Sequence, residues 1–83
     1  MPDDLQGRTG FGGRVFKLRW LRLGLSQAQF ADRYGFTLGA LKDLEQNRVR
    51  PPRTVVVLVA AIENAPDRIA SIVEREKRGG RLG

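Results

Sequence analysis

Apolar positions fall into five helical patterns separated by glycine, proline and capping residues. From Arg14 to Leu23 the stretch RVFKLRWLRL predicts a helix, with Phe16, Trp20 and Leu23 on one stripe and Leu18 and Leu21 toward the other side. A helix apolar on two sides predicts a second surface to cover beyond the core. Gly24 then fits the position just past a helix end. The second helix runs from Gln27 to Tyr34, with Ser26 as N-cap, Gln29 completing a capping box, and Ala28, Phe30, Ala31 and Tyr34 as buried positions. Gly35 breaks that pattern, Phe36 supplies an apolar plug, and Thr37 caps a third helix over Leu38 to Gln46, closed by Asn47.

RVRPPR, residues 48–53, cannot continue a helix through two prolines and reads as an extended basic connection. Thr54 caps a fourth helix, Val55 to Asn64, whose β-branched VVVLVA would also suit a strand, but no second strand is legible to pair with it. Pro66 and Asp67 open a fifth helix to about Arg78, with Ile69, Ile72 and Val73 at helical spacing. Residues 1–13 hold four of the ten glycines and read as a flexible N-terminal arm; residues 79–83 read as a flexible C-terminal tail. The expectation is an all-α chain with one domain over residues 14–78.

Between the second and third helices the spacing is geometrical. A small residue at Ala31 lets two helices cross closely, and Gly35 can take the positive φ that a short turn between steeply angled helices needs. Phe30, Leu41 and Leu44 converge on a small core, which leaves Thr37, Leu38, Gly39, Lys42, Asp43 and Gln46 facing outward.

Charge changes what that outward face is for. The chain carries 15 Lys plus Arg against 9 Asp plus Glu, a net charge of +6, and twelve of the bases are arginine. Nine bases (Arg14, Lys17, Arg19, Arg22, Arg33, Lys42, Arg48, Arg50 and Arg53) and three acids (Asp32, Asp43 and Glu45) lie between Arg14 and Arg53, so the central segment holds the whole excess. Such a field attracts polyanions, and arginine favours forked contacts to phosphate or guanine. Without cysteine or histidine the chain has no disulfide framework, no metal site and no cofactor site of the usual kinds. No nucleophile, acid–base pair or phosphate-binding glycine loop is assembled, which speaks against an enzyme. The longest apolar run is too short to span a bilayer, and the N-terminus begins with acids, so a cytoplasmic protein with no membrane partner is expected.

The run LGLSQAQFADRYGFTLGALKDLEQNRVRPP resembles the helix-turn-helix of the lambda repressor and Cro (Xre-like) family, at Gly24, Leu25, Ser26, Gln27, Phe30, Ala31, Gly35, Leu41, Glu45, Arg48 and Pro51. The resemblance covers about residues 14 to 64 and implies a five-helix DNA-binding domain that binds double-stranded operator DNA as a homodimer. It implies that Gln27 touches a phosphate and braces the third helix, that Thr37, Leu38, Gly39, Lys42 and Asp43 face bases or phosphates, and that Gln46 faces the backbone. Chemically, Lys42 can donate to guanine or phosphate and Leu38 can contact a thymine methyl. Asp43 can accept from cytosine, or pair instead with the neighbours of Lys42 or with Arg48. Gly39 offers no side chain and permits close approach of the helix backbone. Arg48, Arg50 and Arg53 follow the third helix and suit phosphate contact, while Glu45 is expected to pair with Arg48 or Arg50.

The fifth helix is where such a dimer would form, through Ile69, Ile72 and Val73, unless that stripe packs within its own chain. The expected function is therefore a DNA-binding transcriptional regulator, a repressor by that resemblance. A chain of this length has no ligand-sensing domain, so control would pass through concentration, a partner or proteolysis. The chain is also similar to HigA-like antitoxins, which implies a small toxin protein as partner, met by the two-sided first helix and the arm. A third reading is a protein-interaction module with no DNA role.

Overall fold

The computed structural model describes residues 10–79. Helix α1 spans Gly10–Phe16 and continues as a π-helical segment, Lys17–Arg22. It is followed by α2 (Gln27–Tyr34), α3 (Leu38–Glu45), α4 (Arg53–Asn64) and α5 (Pro66–Gly79). Every regular element among the described residues is helical, and none is long and apolar enough to cross a membrane.

Local chemistry accounts for the boundaries. The Ser26 hydroxyl accepts from the Gln29 amide at 3.0 Å and the Gln29 side chain accepts from the Ser26 amide at 2.9 Å, so the capping box is closed. Gly35 takes φ of 84°, which lets the Phe36 amide turn back to the Ala31 carbonyl at 2.9 Å. Thr37 accepts from the Ala40 amide at 3.1 Å and starts α3. Three residues, Gly35 to Thr37, thus join α2 to α3.

The core is built from Val15 and Leu18 of α1, Phe30, Ala31 and Tyr34 of α2, Leu41 of α3, and Val59 and Ile62 of α4. Phe30 touches both Tyr34, with ring centroids 4.8 Å apart, and Phe36, at 6.0 Å. Leu44 is buried as well, and Ile69 and Ala70 of α5 pack against the outside of this cluster. The Tyr34 hydroxyl donates to the Pro66 carbonyl at 3.0 Å, and Lys77 Nζ reaches the Asp32 carbonyl at 2.6 Å, fastening α5 across α2.

Several expectations change. Helix α1 begins at Gly10, so Gly10 to Gly13 belong to it and not to a flexible arm. The reason is close packing: the Gly12 amide donates to Asn47 Oδ1 at 2.9 Å, and a Cβ there would stand 2.8 Å from the Leu44 carbonyl oxygen. The remainder of the arm, residues 1–9, and residues 80–83 of the tail lie outside the described residues. Asn47 does follow the end of α3, with φ of 57°. Ala28 is exposed, on the open side of the first turn of α2. Thr54 does not cap α4: the Pro52 carbonyl accepts from the Val55 amide at 3.0 Å, which puts Thr54 inside the first turn. Proline suits that place because its φ, here −62°, is already near helical.

The π segment explains the inward face of α1. In an unbroken α-helix, Val15, Leu18, Arg19 and Arg22 would share one face. The wider turn, closed by the Leu23 amide on the Leu18 carbonyl at 3.0 Å, leaves Arg22 exposed and brings Leu23 against the core. Trp20 and Leu21 remain 52% and 63% exposed.

Candidate nucleic-acid interface

Helix α3 separates into two faces. Leu41, Leu44 and Glu45 are buried, whereas Thr37, Leu38, Gly39, Lys42 and Gln46 are exposed. A Cβ on Gly39 would meet nothing within 4 Å, so the helix backbone itself is open on this side. Arg48 and Arg50 stand exposed on the connection that follows, and Arg53 is exposed at the first residue of α4. Every outward position expected from the spacing except Asp43 is exposed. Asp43 is half-buried and lies 3.7 Å from Arg48 Nη1, the pairing alternative among its two expected roles.

The back of α3 is held by ionic contacts that the sequence reading did not anticipate. Glu45 is fully buried and pairs with Arg19 of α1, through Arg19 Nε to Oε2 at 2.5 Å and Nη2 to Oε1 at 3.0 Å. This replaces the expected partners Arg48 and Arg50, and Arg48 turns to Asp43. The third guanidinium nitrogen, Nη1, donates to the Leu25 carbonyl at 2.9 Å, while the rings of Phe16 and Trp20 lie 5.5 and 6.0 Å from Arg19 Cζ. Gln27 also donates to Glu45 Oε1, at 3.2 Å. One carboxylate thus ties α1, the start of α2 and the end of α3 together, with Gln27 bonded to the end of α3. A signal was present: the stripe Leu41, Leu44, Glu45 has spacings of three and four, which places Glu45 inside, and a buried carboxylate requires a cation.

Arg14 forks onto Glu63 of α4, Nε to Oε2 at 2.9 Å and Nη2 to Oε1 at 2.7 Å. The hydrogen bonds from Arg14 hold the Glu63 carboxyl below the ordinary carboxylate value and raise Arg14 in turn. Of the first-helix bases, Arg19 is buried and Arg14 is paired, which leaves Lys17 and Arg22 exposed.

On α5, Ile69 turns inward onto the core, and Val73 is half-buried near Gly35, where a Cβ would lie 3.7 Å from Val73 Cγ1. Of the three residues considered for a dimer surface, Ile72 alone is exposed, at 40%. No protein family, curated protein or solved structure matches the chain.

Proposed function

We propose that the chain is a sequence-specific DNA-binding regulator that lays α3 in the major groove of duplex DNA and acts as a two-fold dimer. The observation that carries this reading is the division of α3: Leu41, Leu44 and the fully buried Glu45 point inward, while Thr37, Leu38, Gly39, Lys42 and Gln46 are exposed, and the exposed Arg48, Arg50 and Arg53 follow next in the chain. A major groove about 12 Å wide accepts one helix. Lys42 then donates to guanine O6 or N7, Leu38 meets a thymine methyl, and the bare backbone at Gly39 allows close approach. The arginines that follow neutralise phosphates, and Gln27 stands at the start of α2, where its amide braces Glu45 and its exposed side meets the DNA backbone. In a dimer, half-sites would lie about 34 Å apart or at a multiple of that distance.

The test is selection of bound sequences from a random duplex library, followed by titration of the selected site. Lys42→Ala is expected to weaken binding about tenfold or more, in line with the loss of one good base contact. Equal affinity of Lys42→Ala and the parent would show that α3 is not the reading element, and no DNA binding at low salt would refute the function as a whole.

A further inference from the structure

The outer side of α1 bears a second surface that shares no residue with the α3 face. Lys17, Leu18, Leu21 and Arg22 form, with Arg14 and Glu63, a groove of about 540 Å³. Leu18 lies buried at its floor, and Leu21 stands 63% exposed. Leu18 shares the inward face of α1 with Val15, the π segment brings Leu23 against the core, and Leu21 is left outside it. Its rim is electropositive. Arg14 and Glu63 satisfy each other, whereas Lys17 and Arg22 have no carboxylate within 4.0 Å among the described residues.

These properties select the occupant. A second copy docked here about a two-fold axis would bring its own Lys17 and Arg22 against the same cations, an arrangement opposed by charge. Duplex DNA would satisfy the cations but would leave Leu21 against a polar backbone. We propose that the groove docks a partner protein through an acidic amphipathic helix, one large apolar side chain filling the space over Leu18 beside Leu21 and flanking carboxylates meeting Lys17 and Arg22. Six residues line the groove, against the roughly 20–30 that each partner of a stable complex contributes, so the contact is of the weak, exchangeable kind. This inference does not rest on the DNA-binding reading.

The experiment uses a synthetic helix with leucines on one face and glutamates on both flanks, and a twin with lysine in place of each glutamate. Each is titrated into isotope-labelled protein while backbone amide shifts are followed. The glutamate helix should shift the amides of Lys17 to Arg22 and of Glu63 and saturate with a Kd of about 100 μM, and the lysine helix should be silent. Leu21→Ser and Arg22→Glu should each weaken binding about tenfold or more while thermal unfolding stays at the parent value, because both side chains are exposed. Leu38→Ser, on α3, should leave peptide binding unchanged. No saturable shift at about 1 mM peptide, equal binding of both helices, retained affinity in Leu21→Ser and Arg22→Glu, or displacement of the glutamate helix from these amides by duplex DNA would each overturn the proposal.

Discussion

Arg19 and Glu45 bury opposite charges 26 residues apart in sequence, and each has its hydrogen-bonding capacity engaged by more than the other. Such a pair adds little over an apolar replacement of the same volume, but removing one member strands the other in the interior. Glu45→Gln is therefore expected to destabilise the fold by about 3–5 kcal/mol, measured by urea unfolding, a large share of the total for a domain of this size. A midpoint close to that of the parent would mean that Arg19 finds another acceptor. Glu63 behaves differently because its pair with Arg14 is partly open to solvent. Its carboxyl is held down in the fold, so its contribution is full above the ordinary carboxylate value and disappears as pH falls through the lower folded value. Between about pH 5 and pH 3 the parent should lose more stability than Glu63→Gln, read as converging unfolding midpoints on acidification. Residue pairing was the least legible level of the sequence. Nothing local to Arg19 distinguishes it from Lys17 or Arg22, and the π segment alters which of the three faces inward.

At the scale of elements the sequence was far more informative, and the reason is that caps and turns are local. Ser26 with Gln29, Gly35, and Thr37 each bond within a few residues, so the bounds of α2 and the start of α3 could be read directly. The start of α1 could not. Gly10 to Gly13 look like flexible chain until it is known that Gly12 must lie against the backbone at the end of α3. Thr54 misled because a nearby proline already supplied the helical φ. Helix α3 carries a prediction of its own. Gly39 is the second residue of α3, without a positive φ and with open space where a side chain would be, so Gly39→Ala should raise stability by about 0.4–1 kcal/mol in thermal unfolding, chiefly by restricting the unfolded chain. If the bare backbone serves close approach to DNA, the same variant should bind its selected site more weakly. The crossing of α2 with α3 gives the opposite case: Ala31 is 4% exposed, and Ala31→Leu should destabilise by about 1–3 kcal/mol through overpacking.

Across the whole molecule the central excess of charge resolves into distinct duties. Arg19 is buried, Arg14 is paired, Lys17 and Arg22 flank the groove of α1, Lys42 is exposed on α3, and Arg48, Arg50 and Arg53 are exposed on the chain that follows it. The sequence located this charge but could not divide it, since the division depends on which helix faces which. Each phosphate neutralised by the α3 group should contribute about −0.9 to the slope of log affinity against log salt, so Arg50→Gln should flatten that slope by about 0.9 per protomer. An unaltered slope would place Arg50 away from the phosphates.

The contact between Arg19, Glu45 and Gln27 also limits which sequences can keep this fold. Exchanging the two charges would not restore it, because an acid at position 19 could not donate to the Leu25 carbonyl. Loss of Glu45 alone leaves the buried Arg19 guanidinium without its carboxylate. Descendants of this chain are therefore expected to retain arginine and glutamate together or to exchange both for apolar residues in one coupled step. Positions 19 and 45 should drift as one inherited unit, while the exposed positions on α3, which take no part in the core, remain free to diverge.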